Sequence, residues 1–472
     1  LIVGFSVFLA ATGEMGAPFA ASAGMSLAAA FGWFALGTEY PPKGSLPVAC
    51  VLFIAAIAGI FFINSSFAAP GGDALDMRGW SGVVLADRKW GYMRAALVRV
   101  IAPNSPWKPA KVVLKYRGGA ALEPGDAILV SGRAREFKRS NGPREFDERL
   151  YWRAKGAVGE VVSPVVSVTG KKRGFALWRK VLSRRIRMAL PARTAGYILA
   201  SWTGERDEGL ADFHREAGTS HLLAVSGLHV GVVWAIAQFL LRRVRFRLFF
   251  ASAVIWSYAL LSGASPSSMR AALMIQFVIL GKILGHSGSA FNSASLAASA
   301  MLIFNPWLFW DVGWRMSVLS VLALSSLAAL EAENSAKALA ASPVVWLATS
   351  MQSAWTFESV PFAGIVINIF APAVFAVLLP LASVMSLPSL LGLNVGFYPA
   401  ALAELAFAAW ERFSGNLTFL FPWSVSFSIP LLLGGVAVLV WLFAKACGFS
   451  RYRAWAALAA NMACLCCFLW NA

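Results

Sequence analysis

Long apolar runs recur along this chain, and they limit its possible folds more than any other feature does. An α-helix needs about 20 predominantly apolar residues to cross the hydrocarbon core of a bilayer. Such runs occur at 18–37, 46–64, 220–241, 248–263, 266–285, 312–330, 341–357, 361–388, 426–444 and 454–470. Only 14% of the residues are charged, against about 25% in soluble domains. The sequence predicts a polytopic α-helical membrane protein; no cleavable signal peptide is evident, and the exact number of spans stays open.

One polar stretch interrupts these runs and carries almost all of the net charge. Residues 76–188 hold 25 Lys and Arg against 9 Asp and Glu, so they supply +16 of the formal net charge of +18. Such a concentration of positive charge implies an anionic partner, either nucleic acid or anionic lipid headgroups. Charge alone does not separate these two partners.

Inside this basic stretch the periodicity changes to that of β-strands. In KVVLKY (111–116) lysines alternate with apolar residues, which is typical of a half-buried strand. Similar runs lie at 80–87, 92–101, 127–133 and 157–168. Five short strands suit a small barrel, and we expect an inserted soluble β-barrel of the OB type, a fold that often binds single-stranded nucleic acid. We assign its DNA-binding basic surface to Lys111, Lys115, Arg133, Arg135, Lys138 and Arg139.

The segment KKRGFALWRKVLSRRIRMAL (171–190) follows the predicted barrel. Its apolar residues Phe175, Trp178, Leu182 and Ile186 recur every three or four positions among arginines, a pattern that favours an amphipathic helix lying in the membrane interface. The chain then divides into four parts. They are N-terminal transmembrane helices (1–75), a soluble basic OB-like domain (76–170), the interfacial helix (171–190) and a transmembrane helical domain (191–472).

The segment GTSHLLAVSGLHVGVVWAIAQFLL (218–241) combines a predicted span with a polar beginning. It holds two of the chain's four histidines, His221 and His229. On an unbroken helix these would lie about 12 Å apart, too far to share one metal ion. Ser226 and His229 would share a helix face, and Gly227 allows close backbone approach or a helix break. The polar residues either pack the bundle or line a polar path, and composition alone leaves both interpretations open.

SHLLAVSGLHVGVV (220–233) closely resembles the signature segment of the ComEC family, the DNA-internalisation competence proteins of bacteria. The similarity extends through GERDEGLADFHREAG (204–218), SGASPSSMRAALM (262–274), NPWLFWDVGWRMSVLSVLAL (305–324) and NGPREFDERLYWRAKGAVGEV (141–161). The resemblance implies an inner-membrane channel that passes single-stranded DNA into the cytoplasm during natural transformation, with an OB-like soluble domain. The matched positions, expected along the DNA path, are Arg206, His221, Ser226, Gly227, His229, Pro266, Ser267, Arg270, Asp311 and Gly313.

The chain also departs from the family pattern. The family's Phe-Gln-Leu-Ser appears here as Trp314, Arg315, Met316 and Ser317, which adds a cation that can pair with Asp311 at i,i+4. Many members of the family carry a metallo-β-lactamase-like domain, whose histidine-rich metal motif has no counterpart here. We therefore expect no catalytic residues, metal or cofactor, and a separate protein as the nuclease. The other expected partners are single-stranded DNA, membrane lipids and further DNA-uptake proteins; the oligomeric state is not predicted.

A DNA strand needs a wet path through the bilayer, because charge at the bilayer centre is costly. In SGASPSSMR, Ser265 is a predicted helix cap, Pro266 the first helical residue and Arg270 a second-turn cation. A helix N-terminus attracts anions, so Arg270 is the candidate phosphate contact. The alternative is an arginine whose head extends to the lipid headgroups.

Short basic loops predict the orientation in the membrane. RRVRFR (242–247) and KACGFSRYR (445–453) are expected in the cytoplasm, which leaves the barrel on the outer face of the inner membrane. Two other functions remain open. One is a small-molecule or lipid transporter. The other is an intramembrane serine hydrolase using Ser226 and His229, whose spacing on one helix is a poor approach geometry for nucleophilic catalysis.

Overall fold

The computed structural model describes residues 75–101, 110–117, 121–138, 146–285, 290–328, 330, 333–393 and 397–426. The predicted spans at 18–37, 46–64 and 454–470, and all but the first residue of 426–444, lie outside the described residues. Within them the chain is mostly helical with a separate sheet region, as predicted.

The sheet region contains six strands. They are β1 (Leu75–Trp90), β2 (Met93–Ile101), β3 (Ala110–Tyr116), β4 (Asp126–Arg135), β5 (Ala157–Val162) and β6 (Val165–Lys171). Strands lie at all five predicted runs, and the last run divides at Ser163 and Pro164 into β5 and β6. Ser163 has a φ of 52°, in the left-handed region that β-branched and other L-residues seldom adopt, so the chain turns there.

The strand pairing follows a ring. β1 pairs with β2, β2 with β3, β3 with β5 in parallel, β5 with β4, and β4 returns to β1; β6 adds to β4. Apolar side chains from five of these strands, β1 to β5, fill the interior, among them the fully buried Val84, Val98, Leu114, Val130 and Val161. Burial of such side chains contributes about 1.5–3 kcal/mol each, so alternation along the strands is what stabilises this region.

One consequence of the strand alternation was predicted wrongly. KVVLKY was expected to bury one face and expose the other, but Val113 and Lys115 are buried as well. The short helix α1 (Glu148–Ala154) covers this second face, where Trp152 packs with Val113. The strand is therefore covered on both faces, one by the interior of the sheet region and the other by α1, which lies about 35 residues further along the chain.

The helical region begins with α2 (Phe175–Ala189) at the position of the predicted interfacial helix. Its predicted apolar face divides: Ile186 is buried against the bundle, whereas Phe175 and Trp178 are exposed. The next helices are α3 (Ala192–Thr203), α4 (Glu208–Glu216), α5 (Gly227–Leu240), α6 (Arg247–Leu261), α7 (Pro266–Ile283), α8 (Ala290–Phe304) and α9 (Val312–Ala328). They are followed by α10 (Asn334–Phe357), β7 (Ser359–Pro361), α11 (Ala363–Leu390), α12 (Phe397–Leu420) and β8 (Ser424–Ser426).

Two helical segments in the described part of the chain are long and apolar enough to cross a membrane, Ser220–Leu240 and Ala363–Leu390. Arg247–Leu261 and Val312–Ala328 are shorter apolar helices. The largest core joins α3, α11 and α12, where the rings of Tyr197 and Phe407 stack with their centroids 4.1 Å apart. Leu222 and Leu223 of the signature segment belong to the same core, so these helices position that segment.

The sheet region contacts the helices at two places. The Nη2 of Arg179 on α2 donates to the carbonyl oxygen of Leu85 on β1 at 2.9 Å. The Nδ2 of Asn305 donates to the carbonyl oxygen of Ala154 at the end of α1, also at 2.9 Å. The guanidinium of Arg153 lies 5.4 Å from the centre of the Trp307 ring, within cation–π range. These contacts position the basic strands beside the helices.

Candidate functional site

The signature segment is not one continuous helix. A single 3₁₀ turn, Ser220–Leu222, is followed by a non-helical stretch, and α5 begins at Gly227. His221 lies on the 3₁₀ turn with its side chain exposed. A side chain at Gly227 would meet only Ala271, at an ordinary 3.8 Å. Gly227 therefore lies at a helix break, and no other backbone among the described residues approaches it closely.

Ser226 and His229 meet at the beginning of α5. The backbone N–H of Ser226 donates to Nδ1 of His229 at 3.1 Å, and the Ser226 hydroxyl lies 3.0 Å from the same nitrogen. Because Nδ1 accepts a hydrogen bond, the proton of a neutral imidazole is on Nε2. That Nε2 is buried and has no hydrogen-bond partner among the described residues. The imidazole thus satisfies a free N–H of the helix start and presents one N–H without a partner.

A cavity of about 290 Å³ lies beside His229, between α3, α5, α6 and α11. Its polar groups bond to one another: Trp202 Nε1 donates to Ser383 Oγ at 3.0 Å, and the Tyr258 hydroxyl donates to the Ser201 carbonyl at 2.7 Å. The remaining wall is predominantly apolar, with side chains such as Phe375. This cavity does not provide the polar wall that a charged strand would need.

His214, a residue that the sequence motifs did not single out, lies at the centre of a buried network before the signature. Its Nε2 lies 2.9 Å from the Tyr197 hydroxyl, and its Nδ1 lies 2.7 Å from Thr219 Oγ1. Since Thr219 Oγ1 donates to the His214 carbonyl, Nδ1 carries the proton and Nε2 accepts. Burial lowers the pKa of His214 to about 4, with a smaller contribution from His221, so the ring is neutral at pH 7.

Gly218 places the signature segment against α11. It follows the end of α4 with a φ of +68°, and a Cβ there would lie 2.9 Å from the Cα of Gly364. Asn368 Nδ2 donates to the Gly218 carbonyl at 3.3 Å. Both the left-handed conformation and this close backbone approach require glycine, so the beginning of the signature is held against a candidate span.

The beginning of α7 forms as predicted. Ser265 caps the helix by accepting from the Ser268 N–H at 3.2 Å, and Pro266 is at the first turn. The Ser265 hydroxyl also lies 3.3 Å from the Val225 carbonyl. The loop before α5 and the loop before α7 therefore meet.

Arg270 is buried between α7 and α9 with 5% of its surface exposed. Its Nη1 donates to the Ser317 carbonyl, and its Nε has no partner among the described residues. The hydroxyls of Ser267 and Ser317 lie 3.1 Å apart. We name Ser267, Arg270 and Ser317 the α7–α9 polar seam. Two of its members, Ser267 and Arg270, belong to the predicted DNA path.

Asp311 and Arg315 do not form the predicted i,i+4 ion pair. Asp311 Oδ1 instead accepts from the Trp314 N–H at 2.8 Å, at the start of α9. The Nη2 of Arg315 donates to the Trp310 carbonyl at 3.3 Å. Asp311 thus satisfies an N–H left free at the start of α9, and Arg315 satisfies a carbonyl at the end of the preceding 3₁₀ turn, Pro306–Trp310. The spacing rule for side-chain pairs takes neither backbone group into account.

The six residues assigned to a basic surface have different environments. Lys115 lies between Glu148 at 2.6 Å and Glu160 at 2.5 Å, so its charge is neutralised inside the sheet region. Lys111 is partly buried and donates to the Lys155 carbonyl at 3.1 Å. Arg133, Arg135 and Lys138 are exposed, and Arg139 lies outside the described residues.

The Gly204–Arg206 loop connects α3 to α4. Gly204 has a φ of +70°, and a Cβ there would lie 2.5 Å from the Ser262 carbonyl oxygen, so the loop packs tightly against the one before α7. Glu205 pairs with Arg187 of α2 at 3.2 Å. Arg206 is exposed to solvent, yet enough protein surrounds it that desolvation lowers the pKa of its guanidinium.

No group of three or more His, Cys, Asp or Glu side chains that could hold a metal ion occurs within the described ranges. The described residues define a mostly helical protein with a separate basic sheet region, and two of its helical segments are long and apolar enough to cross a membrane. Residues 203–470, more than half of the chain, match the family described as competence protein. The chain belongs to the competence protein family.

Two relatives match shorter stretches of the chain. The chain is 25% identical over 210 residues to ComE operon protein 3 of Bacillus subtilis, covering 42% of this chain and 27% of that protein. It is 27% identical over 188 residues to Recombination protein 2 of Haemophilus influenzae, covering 36% and 23%. The match thus spans about a quarter of the length of either relative. No solved structure matches the chain significantly.

Proposed function

We propose that this protein takes up DNA for natural transformation by passing a single strand through the inner membrane into the cytoplasm. The observation that carries the proposal is the match of residues 203–470 to the competence protein family. The names of the two relatives, which refer to the competence operon ComE and to recombination, agree with a role in DNA uptake. The further steps, namely a single strand, a channel and an inner-membrane location, rest on the physical arguments below.

The sheet region serves as the DNA-binding part in this proposal, as an OB-like barrel. The ring of strand pairings that returns to β1 supports a barrel. The exposed Arg133 and Lys138 supply positive charge for phosphates. Arg135 is also exposed, but its Nε donates to Glu160 at 3.0 Å, so its charge is partly compensated. Lys115 is left out of this surface because two carboxylates neutralise it.

The α7–α9 polar seam is the better candidate for a path than the cavity beside His229. A phosphate in the bilayer needs hydrogen-bond donors in place of water, and the cavity wall is predominantly apolar. The seam holds two hydroxyls and a buried guanidinium. The Nε of this guanidinium has no partner among the described residues, so it can donate to a ligand. Sparse charge of this kind also suits transport, because tight binding would stall the strand.

In the membrane, the proposal places the sheet region on the outer face and the basic loop at 242–247 in the cytoplasm. The helices beyond the two candidate spans complete a polytopic bundle. Membrane lipids, further DNA-uptake proteins and a separate nuclease for the second strand are the partners that this arrangement requires.

A serine hydrolase is the second candidate, because Ser226 Oγ lies 3.0 Å from His229 Nδ1. This is closer than the helical spacing predicted, since Ser226 precedes the helix. The same Nδ1 already accepts the Ser226 backbone N–H, and Nε2 has no orienting partner among the described residues, whereas a catalytic triad needs a third group there. Labelling by a fluorophosphonate that Ser226→Ala abolishes would favour the hydrolase. The apolar cavity leaves a lipid or small-molecule transporter as a further alternative.

A deletion strain tests the main proposal. Labelled double-stranded DNA is supplied, and its location is followed by protection from added nuclease and by release after disruption of the outer envelope. We expect DNA to accumulate outside the cytoplasm and to enter again when the gene is restored. Unchanged arrival of labelled DNA in the cytoplasm of the deletion strain would contradict the proposed function.

The role of Arg270 is tested separately in complemented strains with equal amounts of protein in the membrane. Arg270→Ala is expected to lower transformation about tenfold or more, because a hydrogen bond to a charged group contributes about 1.5–3 kcal/mol. Arg270→Lys should retain part of the activity. Arg315→Ala is the matched control, since it also removes a partly buried arginine that donates to a carbonyl. Equal losses in Arg270→Ala and Arg315→Ala, or full activity in both Arg270 variants, would refute the assignment.

A further inference from the structure

Three arginines from different parts of the chain converge where the sheet region meets the helices. Arg179 of α2 donates to the Leu85 carbonyl on β1, three residues before Arg88. A Cβ at Gly263 would lie 2.8 Å from Arg179 Nη1 and 3.8 Å from the Thr203 carbonyl oxygen. The loop that holds Arg206 begins at the next residue, Gly204. We name Arg88, Arg179 and Arg206 the junction arginines.

The charges of the three side chains act on one another. Burial lowers the pKa of Arg206, and the positive charge of Arg88 lowers it further. Burial also lowers the pKa of Arg179. The negative charge of Glu205 partly offsets this effect, and the positive charge of Arg88 adds to it. Like charges brought together where hydration is reduced are unfavourable unless an anion compensates them.

The carboxylates nearby do not provide that compensation in full. Glu205 pairs with Arg187, and Asp207 accepts from the Leu210 N–H as the cap of α4. Within the described residues, Arg88 and Arg206 form neither a hydrogen bond nor an ion pair. Two exposed guanidinium groups, with five N–H donors each, therefore remain free beside a third.

A phosphodiester fits this arrangement. A guanidinium binds phosphate through two parallel hydrogen bonds, and several arginines near one another could hold the backbone of a strand without contacting its bases. The Arg179 guanidinium lies between β1 of the sheet region and the Ser262–Gly263 loop that leads into α7. A strand bound there would lie between the basic strands and the helix that carries Arg270.

We propose that the junction arginines form a phosphate-binding site that holds the DNA backbone between the sheet region and the helices. This proposal rests on the proposed function and adds Arg88 and Arg179 to it. The phosphate belongs to a nucleic acid rather than to a lipid, because Arg88 lies on β1 and Arg179 contacts β1, a strand of the region proposed to bind DNA.

The test uses the full chain in nanodiscs of zwitterionic phosphatidylcholine and a short fluorescent single-stranded oligonucleotide over a series of KCl concentrations. The double variant Arg88→Gln/Arg206→Gln removes the two arginines that form no hydrogen bond or ion pair within the described residues. Each lost phosphate contact lowers the slope of log affinity against log salt by about 0.7. Two lost contacts weaken binding about 25-fold at about 0.1 M salt by the same relation.

Three controls separate binding from folding and charge. Arg184→Gln removes an exposed arginine from the same helix α2 and should leave the slope unchanged. Arg88→Lys/Arg206→Lys keeps the charge and should retain most of the slope. Thermal unfolding in the same nanodiscs should be equal for all variants.

The outcomes distinguish this proposal from the proposed function. If the wild-type chain binds DNA and the double Gln variant keeps its slope and affinity, the junction site is refuted while DNA binding stands. If the wild-type chain binds no DNA, both proposals fail. If the double variant instead loses binding to phosphatidylglycerol vesicles and keeps DNA binding, the site holds lipid phosphate and the proposal is overturned.

Discussion

Replacing Gly218 by alanine tests how the signature segment is held against α11. Gly218 has a φ of +68°, and the added Cβ would lie 2.9 Å from Gly364 Cα and 3.3 Å from Gly364 N. Both atoms belong to backbone, so no flexible side chain can move aside. The left-handed conformation costs about 1–2 kcal/mol for alanine, and forcing an extra methyl group into a packed contact costs a further ~1–3 kcal/mol.

Gly392→Ala is the matched control. Gly392 also follows a helix, with a φ of +78°, but a Cβ there meets no atom within 4 Å. It therefore carries only the conformational cost. We expect Gly218→Ala to be less stable than Gly392→Ala by about 1–3 kcal/mol, the packing contribution alone.

The assay is thermal unfolding of the purified full-length variants in detergent, followed by tryptophan fluorescence. The midpoint of Gly218→Ala should lie several degrees below that of Gly392→Ala, because 1 kcal/mol corresponds to roughly 2–4 °C in a domain of this size class. Equal midpoints for the two variants would show that the Gly218–Gly364 approach does not constrain the fold. Transformation should fall with the midpoint if the signature segment must rest on α11 to function.

Two further predictions concern single side chains. Asn305→Asp keeps the oxygen that accepts from the Trp307 N–H and loses the amide that donates to Ala154, so hydrogen exchange in α1 should rise by the equivalent of about 1 kcal/mol, whereas exchange in α7 should not change. Burial lowers the pKa of His214 to about 4, below the value near 6.5 of an unfolded histidine. As the pH falls, the unfolded chain therefore takes up a proton at this residue before the folded chain does. The free energy of unfolding is then constant above pH 6.5 and falls by about 3 kcal/mol as the pH drops to about 4. His214→Gln should flatten this part of the thermal midpoint against pH, and an unchanged profile would contradict the assignment.

Local rules predicted the helix starts well. Ser265 and Pro266 begin α7 as expected, because capping and the fixed φ of proline depend on residues within one turn. The β-rich runs became strands for the same reason. For 220–241 the sequence left open whether the helix breaks at Gly227 or another backbone approaches it. The helix α5 begins at Gly227, where Ser226 and His229 satisfy a free backbone group of the helix start.

Burial of charge could not be predicted in this way. Lys115 follows the alternating pattern of an exposed lysine, yet Glu148 and Glu160 reach it from later parts of the chain. Asp311 and Arg315 have the spacing of an ion pair, yet each bonds to backbone. In both cases the tertiary packing around a charged side chain determines which group stabilises it. The spacing along the sequence identifies only one of the groups that could do so.

The sequence by itself determined the apolar helices, the basic stretch with strand periodicity and the similarity to a family, since each depends on composition and on neighbours a few residues apart. Tertiary structure alone decided which cations meet. Arg88, Arg179 and Arg206 lie on a strand, a helix and a loop, and Gly218 touches Gly364 across about 146 residues. Electrostatic and packing energies act through space over a few ångströms, so only the folded arrangement of distant segments brings these groups within range.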